Sequence, residues 1–319
     1  MAYYLVTGGC GFIGSHLVDS LLKDGHKVRI LDDLSTGKRN NVPDNSEIVV
    51  ADVSDGKVVA ECMKNIDKCF HLAAVASVKD SNNDWVRSHQ INMIGSINIF
   101  NAARKNKTPV VYASSAAVYG DNADIPLKET SSLKPLSAYG ADKLSTELHA
   151  QVASLVHGVP TTGLRFFNVY GPRQDPNSPY SGVISIFLKC VRDNKTITIF
   201  GDGEQTRDFI YVSDVICFLR KSMDKISRTS AVFNVCTGDS ISINQLAKNI
   251  MSIADCRVEM KNQPSRKGDI RVSVGDPMFS MQSLRVTALQ PVVYGLRLLI
   301  EDTLGSDERD GIIECSNAV

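Results

Sequence analysis

The stretch Tyr3–Gly14, YYLVTGGCGFIG, decides the fold. Tyr3 to Thr7 is a short apolar run that predicts a strand, and glycines at 8, 11 and 14 follow it directly. From Phe12 onward Ile13, Leu17, Leu21 and Leu22 recur at helical spacing until Gly25, so the order is strand, turn, helix. Without side chains at Gly8, Gly11 and Gly14 the turn is tight, and backbone N–H groups with the positive end of the helix dipole can meet a pyrophosphate. A glycine triplet alone is a weak signal, and its context strengthens it. The next strand-like run, Lys27 to Asp32, ends in an acid 18 residues beyond Gly14. A carboxylate there accepts hydrogen bonds from an adenosine ribose and repels a 2′-phosphate, which favours NAD over NADP. Asp33 stands beside it, and Asp52 with Val53 closes the third strand; these positions are open to the adenosine or to solvent.

Working outward, strand-like runs recur at Ile48–Val53, Cys69–Ala73, Val110–Ser114 and Thr162–Phe167, with helix-like stretches over Asp84–Lys105 and Ala138–Val156. Alternating strands and helices predict an α/β fold, a doubly wound parallel Rossmann sheet, because each crossover helix must cover a face. This first unit, the NAD-binding domain, spans residues 1–171. The loop 168–182, NVYGPRQDPNSPYSG, carries three prolines and two glycines and leads into a smaller mixed α/β substrate-binding domain over residues 172–319. A later segment, 209–238, holds strand-like Ala231–Val235, which is expected to return to the first sheet. The polar tail from Ser306 has no period and is expected to fray.

Composition narrows the function. The 319 residues are 43% hydrophobic and 22% charged, which suits a globular chain with a sizeable core and excludes disorder. Thirty-five basic and 35 acidic residues cancel, so nothing global points to nucleic acid or an acidic membrane, and a small-molecule partner is expected. No membrane-length apolar run and no secretory h-region is present, which points to the cytoplasm. Eight cysteines without a C-x-x-C pair predict reduced, packed thiols rather than a metal site.

Tyr139 and Lys143 in AYGADK are four apart, which places them on one helix face. An ammonium beside a phenol lowers its pKa, and with an oxidised nicotinamide nearby the phenol is expected to shift toward neutrality and serve as a base. Ser115 ends the preceding strand, where its hydroxyl can reach the reacting oxygen. Taken singly, such a pair is a surface helix pair and such a serine a cap. The order of the three behind the glycine turn is what gives them a catalytic meaning.

These residues resemble the extended short-chain dehydrogenase/reductases, and within them the nucleotide-sugar 4-epimerases of the UDP-galactose/UDP-N-acetylglucosamine type. The resemblance runs from Tyr3 to about Asp302 through VTGGCGFIG, LDDLSTG, HLAAVASV, SSAAVYGD, AYGADK, RFFNVYGPR, GDGEQTRDFIYVSDV and RKGDIRVS. It implies catalytic Ser115, Tyr139 and Lys143, with Lys143 also on the nicotinamide ribose. It implies that Phe12, Ile13, Ala73, Asn92 and Phe166 join the glycine turn and the strand-end acids around NAD. Asn168, Arg207, Arg266 and Asp269 then fall where a uridine diphosphate is gripped, and Ser273 near the hexose 2-substituent. Related dehydratases and decarboxylases carry a glutamate just after the catalytic hydroxyl; here Ala116 and Ala117 stand there. The implied activity is NAD-dependent 4-epimerisation of a UDP-hexose by a homodimer, with a UDP-glucuronate epimerase or a non-catalytic dinucleotide-binding regulator as alternatives. Departures from the family pattern are Trp85, where proline is usual, and the region Phe279–Leu289.

Overall fold

The computed structural model describes residues 1–175, 182–265 and 268–315, with side chains at all of these except Lys79 and residues 304–315. The first unit alternates strand and helix: β1 (Tyr3–Thr7), α1 (Phe12–Lys23), β2 (Lys27–Asp32), β3 (Glu47–Val50), α2 (Gly56–Cys62), β4 (Lys68–His71), α3 (Val78–Asn83), α4 (Trp85–His89), α5 (Gly95–Ala103), β5 (Val110–Ser115), α6 (Ala138–His157) and β6 (Thr161–Phe166). A π-helical stretch, Gln90–Ile94, joins α4 to α5. Beyond β6 come β7 (Asn168–Tyr170), α7 (Val183–Arg192), β8 (Ile197–Phe200), β9 (Thr206–Arg207), β10 (Phe209–Tyr211) and α8 (Val212–Asp224). They are followed by β11 (Ala231–Val235), β12 (Ile241–Ser242), α9 (Ile243–Ile253), β13 (Met260–Gln263), β14 (Val272–Ser273), α10 (Met278–Leu284) and α11 (Val292–Cys315).

Seven strands form the central sheet in the order β11-β6-β5-β4-β1-β2-β3, every pair parallel. Such a sheet is covered on both faces, which is why β1 and β5 read as continuous apolar runs rather than alternating ones. One face packs Val6, Ile30, Phe70 and Val111 against Leu17 and Leu21 of α1 and Val215 and Leu219 of α8. The other packs Leu5, Leu31, Cys69 and Tyr112 against Val59 of α2, Ile99 of α5 and Ala150 of α6. A separate apolar cluster, with Phe187, Leu246, Ile250 and Leu296, sits under α7, α9 and α11 in the second unit.

The second unit is built from short pieces: β7 with β10, β8 with β13, and β12-β9-β14. The C-terminal tail corrects the sequence reading, because α11 remains helical to Cys315 instead of fraying from Ser306. After Pro291 no further proline interrupts the chain, so nothing in it forces the helix to stop. No helix among the described residues is long and apolar enough to cross a membrane.

Candidate functional site

A cavity of about 430 Å³ opens at the C-terminal ends of the central strands, the crevice where doubly wound sheets take ligands. Gly8, Gly11, Phe12, Ile13 and Gly14 form its floor beside β1. A Cβ built on Gly14 would stand 2.1 Å from the Gly8 carbonyl oxygen, so only glycine lets the turn close. Gly11 caps α1 without a side-chain hydrogen bond, and the first turn of α1 carries no acid. The N–H groups of that turn therefore have no side-chain acceptor of their own and stand free for a phosphate.

Asp32, Asp33, Asp52 and Val53 line the cavity at one end. Asp32 is buried; its carboxylate accepts from the Cys10 N–H at 2.8 Å and the Leu34 N–H at 2.9 Å. Burial pushes its pKa up while those two N–H groups pull it down. Asp33 is exposed and accepts from Ser35, and Asp52 pairs with Arg87 and accepts from the Ser54 N–H. This end fits an adenosine and the glycine floor fits a pyrophosphate, so the residues present suit a dinucleotide.

At the other end Ala73, Ser115, Tyr139, Lys143, Phe166 and Asn168 line the same cavity. Ser137 caps α6, accepting from the Gly140 N–H at 3.1 Å, and sets Tyr139 and Lys143 in the first turns. A Cβ at Gly140 would meet the Ala117 carbonyl oxygen at 2.7 Å, so the missing side chain lets α6 approach the turn that carries Ser115. Ser115 Oγ accepts from the Ala117 N–H at 3.1 Å, so it caps this turn and keeps its own proton to donate. It thus fills the capping role and still faces the site.

The electrostatics correct one expectation. Burial raises the Tyr139 phenol above its ordinary pKa, a hydrogen bond with Ser115 opposes the rise, and Lys143 exerts no resolved pull. The ammonium of Lys143 stands 5.7 Å from the Tyr139 ring centroid and donates to the Ala113 carbonyl at 2.8 Å. Its charge is spent on the strand rather than on the phenol oxygen. Burial lowers Lys143 itself to about 8, with Asp142 acting against the fall. Burial disfavours the ammonium, so Lys143 is charged below about pH 8 and neutral above it. We expect the Nζ resonance of the cofactor-free protein to titrate near that value, and a midpoint at the ordinary lysine range would contradict the burial argument.

Other assigned residues divide. Asn92 is buried and absent from the cavity wall; its carboxamide accepts from the Val75 N–H at 2.8 Å and donates to the Val75 carbonyl at 3.2 Å. It holds the loop that lines the cavity instead of lining it. Arg207 and Asp269 form an ion pair at 2.6 Å, and Ser273 of β14 is the register partner of Arg207 on β9. Asn168 joins this group through its N–H, which donates to the Asp208 carbonyl at 3.0 Å. Arg266 lies outside the described residues. The sequence reading missed Ser35, Thr36, Lys38 and Asn41 after β2, and Arg173, Gln174 and Asp175 after β7, all of which line the cavity. Ser35 and Thr36 lie in LDDLSTG and Arg173 ends RFFNVYGPR, stretches that carry the family resemblance and hold Asp32, Asp33, Phe166 and Asn168; Lys38, Asn41, Gln174 and Asp175 lie just beyond them.

The model of the NAD dependent epimerase/dehydratase family matches residues 4–236, which contain both the glycine floor and the Ser115, Tyr139, Lys143 group. The chain belongs to that family. It is an extended short-chain dehydrogenase/reductase and an enzyme whose cofactor is NAD. A putative UDP-glucose 4-epimerase of Methanocaldococcus jannaschii is 38% identical over 269 residues, 83% of this chain and 87% of that one. A UDP-glucose 4-epimerase of Thermotoga maritima, solved with UDP-glucose, superimposes with a TM-score of 0.92 at 35% identity, covering 95% of this chain and 99% of the other. A UDP-N-acetylglucosamine 4-epimerase of Methanobrevibacter ruminantium, solved with UDP-N-acetylmuramic acid, gives 0.90 at 37% identity, covering 96% and 99%.

Proposed function

We propose that this enzyme epimerises C4 of a UDP-hexose, interconverting UDP-glucose with UDP-galactose and UDP-N-acetylglucosamine with UDP-N-acetylgalactosamine. One observation carries the reading. Among the described residues, the carboxylates on the cavity wall are Asp32, Asp33 and Asp52, at the end of the glycine turn and β2, and Asp175 after β7, which is ion-paired to Lys38. Beside Tyr139 the wall offers the hydroxyls of Ser114 and Ser115 and the ammonium of Lys143, and Ser114 is already bonded to Glu147 behind the wall. The 3₁₀ turn after Ser115 begins Ala116-Ala117, so no second acid stands where dehydration or decarboxylation of a sugar would need one.

Bound NAD supplies a reversible hydride acceptor for C4, leaving no net redox change. Tyr139 Oη takes the proton of the 4-hydroxyl and returns it after the ring has presented its other face. Ser115 has one proton to donate, to the reacting oxygen or to the phenol, and so steadies negative charge on whichever of the two carries it. Lys143, charged at neutral pH and anchored on the Ala113 carbonyl, orients the nicotinamide ribose through its remaining N–H groups.

Ser273 supports the wider sugar choice. It lies in one small sheet with Arg207, whose partner is Asp269, so the residues assigned to the uridine diphosphate and to the sugar are neighbours. A small side chain admits an acetamide and still accepts a hydroxyl with modest loss. Purified enzyme incubated separately with UDP-glucose, UDP-N-acetylglucosamine and UDP-glucuronate, with 4-epimers resolved, is expected to turn over the first two. Ser273→Tyr should remove the N-acetylated activity selectively. Wild type that ignores N-acetylated substrate, or a tyrosine variant that loses both activities in proportion, would refute the assignment.

The reading includes a cytoplasmic homodimer. Val86 of α4 and Leu148, Val152, Leu155 and Val156 of α6 are exposed apolar side chains on the two helices that the family resemblance assigns to the interface.

A further inference from the structure

The segment Pro172–Asp175 follows β7 and faces the loop after β2 across the cofactor cavity. Arg173, Gln174 and Asp175 line one side of the cavity, and Thr36 and Lys38 line the other. The glycine turn, the acid of β2 and the catalytic group leave this segment without a role.

Three contacts tie it to the NAD-binding unit. His16 of α1 bonds the Pro172 carbonyl through Nε2 at 3.0 Å; a carbonyl only accepts, so Nε2 carries the proton. One turn along α1, Asp19 pairs with Arg173 at 2.7 Å. Lys38, six residues past Asp32, pairs with Asp175 at 2.8 Å. On its other side Gln174 is fixed to the second unit, donating to the Val169 carbonyl at 3.3 Å and accepting from Ser185 Oγ at 2.8 Å. Arg173 is also held at φ +67°, a left-handed conformation that a non-glycine residue keeps only where its surroundings fix it.

We propose that Pro172–Asp175 is a strap across the cofactor cavity, and that its ion pairs with Asp19 and Lys38 set how slowly NAD leaves. A single exposed ion pair shifts an equilibrium only several-fold. Here both pairs close the same short crosspiece, which must lift as a unit before the dinucleotide can pass, so their effects multiply to about tenfold in the open population. An enzyme whose cofactor is restored within each cycle has no need of fast exchange, and the strap gives that retention a structural cause.

The test loads the full-length protein with NAD, dilutes it, and times the nucleotide appearing in an ultrafiltrate. Lys38→Asp, which exchanges the attraction to Asp175 for repulsion, is expected to release NAD about tenfold faster than wild type, and Arg173→Met, which only removes one pair, several-fold faster. Lys38→Asp combined with Asp175→Lys restores the pair with reversed polarity and should return release close to the wild-type rate. Raising salt from about 0.05 to about 0.5 M should speed wild-type release more than it speeds Lys38→Asp, because the variant keeps only the Asp19–Arg173 pair for screening to weaken. Release at the wild-type rate from Lys38→Asp would overturn the strap. So would a reversed pair that stays as fast as the single variant, since Lys38 would then act on the cofactor phosphates directly.

Discussion

Tyr139→Phe should leave a folded protein that retains NAD and turns over about 10²- to 10⁴-fold more slowly, the usual loss when a positioned acid/base is removed. Phenylalanine keeps the ring that packs at the start of α6 and loses only the oxygen in hydrogen-bonding contact with Ser115. On the proposed assignment the dinucleotide is held elsewhere, by the glycine floor, the Asp32 carboxylate and Lys143, all of which line the cavity. Binding and chemistry therefore separate in this variant. The phenol begins from a pKa raised by burial, so without cofactor it rests protonated at neutral pH, and proton transfer depends on charge arriving with the ligands. Two measurements on one preparation decide it: NAD recovered from the denatured protein, and epimer formed per unit time. Near wild-type turnover would take Tyr139 out of the mechanism, and loss of NAD along with activity would make it a structural residue.

What the sequence revealed, and what it hid, follows from the range of each interaction. β2 and β11 match their apolar runs residue for residue, because strands covered on both faces leave a local signature. The glycine turn and the Tyr139–Lys143 spacing are equally local. The helical stretch 84–105 is present as α4 and α5, but five residues around Asn92 widen to a π turn. There Ser96 donates back to the Asn92 carbonyl at 2.5 Å while the Asn92 side chain is drawn to Val75, and hydrophobic spacing carries no trace of either bond. The helix α2 was missed because only Val59 and Cys62 of its seven residues are buried, too few to make a period. Spacing also showed that Lys143 shares a face with Tyr139 but not that its ammonium turns to Ala113. The strap is hidden for a different reason: Arg173 and Asp19 are 154 residues apart, and only the folded chain makes them neighbours.

Arg165→Met is expected to cost about 3–5 kcal/mol of stability, the largest loss we foresee from a residue outside the cavity wall. Glu147 lies four residues beyond Lys143 on the inward face of α6, so Tyr139, Lys143 and Glu147 form one polar stripe, with buried Asp142 and Thr146 beside it and Ala150 and Ala153 further along. Arg165 of β6 meets Glu147 through two bonds, Nε to Oε1 at 2.9 Å and Nη2 to Oε2 at 2.7 Å, with both side chains buried. Ser114 adds a bond to the same carboxylate. The remaining arginine nitrogen donates to Tyr119 Oη at 2.9 Å and to the Glu129 carbonyl at 3.1 Å, and Tyr119 in turn donates to Asn234 of β11 at 2.6 Å. Removing the guanidinium leaves a carboxylate in the interior without its countercharge, and the phenol and the carbonyl each lose a donor, which is why truncating one partner costs far more than the pair contributes. Arg165→Met with Glu147→Gln removes both charges and should recover much of the loss in denaturant melts. Equal destabilisation of the single and double variants would mean that the hydrogen bonds to Tyr119 and Glu129, rather than the stranded carboxylate, carry the cost. Ser114 sits beside Ser115, and Tyr119 closes the turn that begins at Ser115, so the same network fixes from behind the hydroxyl proposed to be catalytic.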